Sequence, residues 1–226
     1  MITLLIIILL VLLVSASSKI GSGVYVKAFC REKTKEKVAY LTFDDGPDAL
    51  MTPRILNILK SRNAKATFFV IGRKIDGNEA VLRDIIAQGH QIGLHSESHT
   101  WKFPLLSKRN MVEDLSECRR KIETSTGFRT DLFRPPFGVT NPTVSYAVRT
   151  MRLRVVGWSV RSFDTVKQSK CGSARKVMIL RRVAAYLRPG AVILLHDRLS
   201  DGDEILSAVL DYLDSKGYVY GRNCSF

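Results

Sequence analysis

From residue 38 onward, short continuous apolar runs alternate with longer stretches whose apolar residues recur every three to four positions. The short runs predict buried strands, and the 3.6-residue period predicts amphipathic helices. Strands are expected at 38–43, 66–71, 90–94, 132–134, 154–160, 191–195 and 218–220. Helices are expected from Thr52-Pro53 onward, over 79–88, over 107–126, from Asn141-Pro142 to 151, over 173–187 and over 203–216. Thr52 and Asn141 suit N-caps, each followed by the proline that fits a first helical position. Gly89, Gly127 and Gly217 each stop a helix, and Pro189-Gly190 ends another. Ile55, Leu56, Ile58 and Leu59 give the first of these helices its apolar face.

Strict alternation of this kind implies parallel strands with helices packed outside them, an α/β class. An open doubly wound sheet and a barrel both satisfy it. The unusual polar residues help to choose, because they fall just after strands: Asp44-Asp45, His95, Arg134, Asp164 and His196. Loops at the C-terminal ends of barrel strands converge on one site, whereas an open sheet spreads its strand ends along an edge. Five strand ends serving one site suit a barrel better.

At 226 residues the chain is long enough for one domain with a sizeable core. Its first part reads differently. Ile2 to Val14 is apolar, too short for the roughly 20 residues of a spanning helix but suited to the core of a signal peptide. Val14-Ser15-Ala16 supplies small residues for cleavage after Ala16. No Lys or Arg precedes Ile2 and the first basic residue is Lys19, so the charge pattern does not add to the case for export. Residues 1–18 are expected to be a signal peptide or membrane anchor, 19–37 a linker, and 38–226 the domain.

The net charge of +14 favours anionic partners. No paired CxxC, RNP-type aromatic run or basic zipper accompanies it, so nucleic acid is not expected as a partner. An anionic envelope or membrane surface fits the charge. Cys30, Cys118, Cys171 and Cys224 are widely spaced and match no zinc pattern, so free or buried thiols are expected.

Five segments carry candidate chemistry. In Thr42-Phe43-Asp44-Asp45-Gly46-Pro47, one carboxylate can bind a metal while its neighbour takes a proton, and Gly46-Pro47 turns the chain sharply. In His95-Ser96-Glu97-Ser98-His99, two of the four histidines stand at i and i+4. On a helical turn they would face one cation. With Asp45 they form a His2Asp set that leaves positions open for water and substrate. Glu97 lies two residues after His95 rather than one, which disfavours an HExxH metalloprotease. Phe133-Arg134-Pro135-Pro136-Phe137-Gly138 is a stiff loop whose Arg134 can pair with a carboxylate. The fourth segment is Trp158-Ser159-Val160-Arg161-Ser162-Phe163-Asp164, and the fifth is Val192-Ile193-Leu194-Leu195-His196-Asp197. His196, directly after a buried strand, is placed to act as a general acid. His90, at a strand start after Gly89, reads as structural.

In this order the five segments resemble the polysaccharide deacetylases of the NodB-homology, or carbohydrate esterase four, group. The resemblance runs from Val38 to Tyr220. It implies an incomplete (β/α)7 barrel and a divalent metal, zinc foremost, with cobalt or another divalent ion admissible. It implies Asp44 as general base, Asp45, His95 and His99 as metal ligands, and Arg134 as the group that positions the base. It further implies the Phe137 N–H as oxyanion donor, Leu195 as lining of the acetyl pocket, Trp158 as a substrate contact, and Asp164 as partner of the acid His196. The sequence departs from the family at Thr165, where Trp is frequent, and at Arg161, where Asp is more common. Both departures bear on the substrate rather than on the acid–base set. A monomer acting on an acetylated glycan such as peptidoglycan or a chitin-like polymer, exported or membrane-anchored, is the reading these implications give. Deacylation of a lipid-linked amino sugar and a non-catalytic glycan-binding module are the alternatives.

Overall fold

A computed structural model describes residues 2–165 and 173–222. The first element is helix α1 (Ile2–Ser18), followed by strand β1 (Ala28–Phe29). Then come β2 (Val38–Gly46), α2 (Met51–Ser61), β3 (Ala66–Val70), α3 (Glu79–Ala87) and β4 (Gln91–Leu94). The middle of the chain forms α4 (Lys108–Thr126), β5 (Leu132–Phe133), α5 (Pro142–Thr150), β6 (Arg154–Val156) and β7 (Val160–Arg161). The last part forms α6 (Ser173–Tyr186), β8 (Ala191–His196), α7 (Gly202–Ser215) and β9 (Val219–Tyr220). Every named strand pairs in parallel, in the order β1-β6-β5-β4-β3-β2-β8-β7, with β9 added beside β2. The sheet curls into an incomplete (β/α)7 barrel, left open between β1 and β7.

Period-two alternation divides the core into two parts. Leu41, Phe43, Phe68, Val70, Ile193 and Leu195 face the helices in the large outer cluster. Tyr40, Phe69, Leu132, Val156 and Val192 fill the barrel interior. The expected cap at Asn141 and the expected stop at Gly127 are present, and Ser107 adds a cap that the sequence reading did not name. Ser107 and Asn141 accept from the backbone N–H groups of Asn110 and Val144, and Gly127 closes α4 at φ 70°.

Three expectations need correction. Thr52 does not cap α2; it lies within the first turn, and Asp48 Oδ1 accepts from the N–H groups of Leu50 and Met51 instead. The expected strand 154–160 is two strands. β6 joins β1 and β5 on one side of the opening, and β7 joins β8 on the other. The break falls where the Val156 and Gly157 carbonyls accept from the Arg134 guanidinium inside the barrel rather than from a strand neighbour. Part of 19–37, expected as linker, belongs to the fold. β1 pairs with β6, and Ile20 and Val26 are buried.

α1 displays apolar side chains such as Ile6, Val11, Leu12 and Val14. Its last turn is tied to the body: the Ser17 hydroxyl and the Thr140 N–H donate to each other's backbone carbonyls at 2.6 and 2.9 Å. Among the described residues, no helix is long and apolar enough to cross a membrane. Cys30 and Cys118 are free thiols, while Cys171 and Cys224 lie outside the described residues.

Candidate active site

The floor of the site is Arg134, directly after β5 and fully buried. Its guanidinium donates to the carbonyls of Val156 (3.0 Å) and Gly157 (2.7 Å), to Thr42 Oγ1 (2.8 Å) and to Asp44 Oδ1 (2.6 Å). It lies 4.2 Å from the Phe69 ring centroid, so the cation is supported from below by an aromatic face. A buried charge is tolerable only when paired and bonded in this way.

Neighbouring residues on a strand normally point to opposite faces. Asp44 and Asp45 do not, because β2 bulges between them. Asp44 pairs with Phe69 and Gly46 with Val70, leaving Asp45 as the extra residue at φ 72°. The bulge re-aims the Asp45 side chain into the same pocket as Asp44. Below the bulge, Asp197 is wholly buried, and its Oδ2 accepts from Thr52 Oγ1 at 2.6 Å. A side chain at Gly46 would strike this carboxylate. Burial pushes Asp197 up to about 7.

The two histidines come together without a helical turn. Residues 96–99 form an irregular loop, with Ser96 at φ 70° and His99 at φ 41°. Asp114 on α4 holds the loop by accepting from the N–H groups of Glu97 (2.8 Å) and Ser98 (3.2 Å), and Ser96 Oγ accepts from His99 N–H (2.8 Å). The imidazole rings end 4.8 Å apart. His95 Nδ1 donates to the Arg134 carbonyl at 2.7 Å, which leaves the Nε2 lone pair directed at the carboxylates.

Opposite them stands His196. It shares a rung with Asp44 on adjacent strands β8 and β2. Asp164 grips it twice, accepting from Nδ1 at 2.8 Å and from its backbone N–H at 2.9 Å. Burial lowers the His196 pKa, but the hydrogen bond and charge of Asp164 outweigh it, and the net shift is upward. Nε2 is the remaining proton carrier.

The cavity between these groups has a volume of about 170 Å³. Phe137, Gly138, Trp158, Thr165 and Leu194 line it. Phe137 sits at φ 60°, its ring 5.0 Å from that of His99. Leu195, expected in the acetyl pocket, is not there; it belongs to the outer, helix-packed core. Leu194 takes the place, because residues two apart on a strand share a face and Leu194 therefore shares that of His196. Sequence reasoning also missed Arg198, whose Nε donates to Asp45 Oδ2 at 2.7 Å, and Lys74, which donates to the Asp45 carbonyl at 2.6 Å. Neither gives a local signal, since each meets Asp45 only through tertiary folding. The same is true of Asp114.

The donor set fits a divalent ion. One atom from each of Asp45, His95 and His99 lies within 4.8 Å of the others. Asp45 Oδ1 is buried without a hydrogen bond, 3.2 Å from His99 Nε2 and 3.6 Å from His95 Nε2. Burial raises the Asp45 carboxyl, but His95, Arg198 and His99 together outweigh it and bring it down to about 2. Burial and the neighbouring His95 push His99 down to about 4. At neutral pH the pair is a carboxylate and a neutral imidazole, the protonation states that ligation needs.

Comparisons with known proteins point to one family. Residues 31–156 match the family model described as polysaccharide deacetylase. The peptidoglycan-N-acetylglucosamine deacetylase PgdA of Listeria monocytogenes is 33% identical over 202 residues, 88% of this chain. The chain spans only 40% of that relative's length. The peptidoglycan-N-acetylmuramic acid deacetylase PdaA of Bacillus subtilis is 30% identical over 197 residues, 85% of this chain and 72% of that one. Among solved structures, a carbohydrate esterase family 4 pseudoenzyme from Bacillus anthracis superimposes with a TM-score of 0.75 at 28% identity, covering 85% of this chain and 66% of that one. With the family model covering more than half of the sequence, the chain belongs to the polysaccharide deacetylase family.

Proposed function

We propose that this protein hydrolyses the acetamido group of an N-acetylated glycan, with a cell-wall polymer of the peptidoglycan type as the first substrate class and esters as a lesser one. The observation that carries this is the pairing of two proton carriers, Asp44 and His196, on one rung beside a metal-fitting triad, with Asp44 Oδ2 3.7 Å from His95 Nε2. Asp45, His95 and His99 would hold the ion, zinc foremost. A bound divalent ion would polarise the acetyl carbonyl and acidify a water.

Asp44, pinned by Arg134, accepts the proton of the attacking water at its free oxygen, Oδ2. The Phe137 N–H would donate to the oxyanion. His196, held by Asp164, delivers the Nε2 proton to the leaving nitrogen. An amine is a poorer leaving group than an alcohol and needs that proton more, which favours amides. Leu194 and Trp158 wall the acetyl group. Export, with residues 1–18 as signal or anchor, belongs to the same reading, since the named relatives act on peptidoglycan.

The pseudoenzyme relative supports one competing reading, a glycan-binding module without turnover. The presence of every proposed acid, base and ligand in this chain argues against it. Acetate release measured across peptidoglycan, chitin oligomers and acetylxylan, with added zinc or cobalt, tests the proposal. Release from none of the three, in a folded and metal-loaded protein, would leave the binding module standing.

A further inference from the structure

The pocket wall beside His196 carries two guanidinium groups that the acid–base chemistry does not use. Arg161 on β7 is paired with Leu194 on β8. Rung-mates in parallel strands point to the same face, so Arg161 lines the pocket with Leu194, while Val160 and Ile193 turn into the outer core. The guanidinium stands 4.6 Å from the Phe163 ring centroid and 5.7 Å from that of Trp158. Arg182 backs Phe163 at 3.9 Å. Aromatic faces hold a planar guanidinium in a fixed orientation at little entropic cost.

Arg161 is exposed and, among the described residues, has no carboxylate partner. Residues 166–172, next in sequence, contain Lys167 and Lys170 and no Asp or Glu. Arg198 lines the same pocket. Its Nε is engaged by Asp45, its side chain is 43% exposed, and its terminal nitrogens make no hydrogen bond among the described residues. A solvated surface arginine needs neither an aromatic cradle nor a place in the pocket wall. An aromatic-cradled fork and a second guanidinium lining the same pocket as His196 instead suit an oxyanion ligand.

We propose that Arg161, assisted by Arg198, forms an oxyanion-recognition subsite, so that the preferred substrate is an acetylated amino sugar with an anionic substituent on the same ring or its neighbour. This inference rests on reading the pocket as the glycan site. A guanidinium fork accepts both carboxylate and phosphate, so the substituent can be either, and the test separates them.

The full chain is titrated at about 0.15 M salt, where long-range attraction by the basic surface is largely screened. Three oligomers are compared: neutral chitotetraose, the stem-free peptidoglycan tetrasaccharide whose alternate sugars carry a lactyl carboxylate, and a 6-phosphorylated chitotetraose. One anionic oligomer should bind about 10- to 100-fold more tightly than the neutral one, the range of a charge-assisted fork. Which of them does so identifies the substituent. Arg161→Gln should remove most of that ratio and Arg161→Lys part of it, while Arg120→Gln on α4 should keep the wild-type ratio. Equal affinity of wild type for all three oligomers overturns the subsite, whatever the variants do. Acetate release from the same oligomers separates the two readings. Release with equal affinities sinks the subsite alone, and an intact ratio with no release from any oligomer sinks the deacetylase reading alone.

Discussion

Replacing Arg134 by Met keeps much of the stem's volume and deletes a fully buried cation. Four hydrogen bonds go with it, to the Val156 and Gly157 carbonyls, Thr42 and Asp44. Removing one partner of a buried ion pair costs about 3–5 kcal/mol, because the other charge stays behind unpaired. Two carbonyls also lose a donor, each at a low-end cost of about 1 kcal/mol where water can partly replace it. A loss of about 5–7 kcal/mol follows, a large share of the roughly 5–15 kcal/mol that holds a domain together. For a chain of this size it corresponds to a fall in Tm of roughly 10–30 °C.

Urea unfolding followed by circular dichroism measures the loss, with Asp44→Asn and the double variant completing a cycle. The double variant no longer buries a lone carboxylate, so it should recover about 2–3 kcal/mol relative to the sum of the single losses. A single-variant loss under about 1 kcal/mol, or strict additivity, would show that Arg134 and Asp44 are not the coupled pair that the geometry makes them.

Asp44→Asn should keep metal near one equivalent by elemental analysis and lose about 10²–10⁴ in kcat, whereas Asp45→Asn, His95→Ala and His99→Ala should lose metal, with zinc partly restoring Asp45→Asn. Zinc rescue of Asp44→Asn would mean that the two carboxylates are assigned the wrong way round. In the metal-free protein, folded His196 holds its proton more tightly than the unfolded chain does. Its contribution to stability is therefore complete below about pH 6.5 and is lost as pH rises through the higher folded value. The stability gap between wild type and Asp164→Asn should shrink over that window, and a gap flat in pH would count against the His196–Asp164 pair. Folded Asp197 is raised from 3.8 to about 7, so stability should decline as pH climbs across that interval. Asp197→Asn should flatten this slope in pH-resolved denaturation, and an unchanged slope would place the titration elsewhere.

The alternation of strands and helices was legible because burial imposes a period on residues a few positions apart, and that period is written locally. The same is true of the cap at Asn141 and the stop at Gly127, which act within one turn. The site residues could be singled out because Asp44-Asp45, His95, Arg134, Asp164 and His196 are polar groups placed directly after apolar runs. Leu194 was legible too, by counting two back from His196; the reading that put Leu195 in the pocket ignored the pleat. Other features are decided only by pairing across the chain. The bulge that turns Asp45 toward Asp44 exists because β2 is registered against β3 on both sides of it. The split of 154–160 exists because Arg134, more than twenty residues earlier, takes the Val156 and Gly157 carbonyls. Asp114 shapes the histidine loop from α4, and Arg198 reaches Asp45 from 153 residues away. Sequence periodicity records which face a residue must bury, while the partner it meets there is chosen by strand register and helix packing, which no local pattern contains.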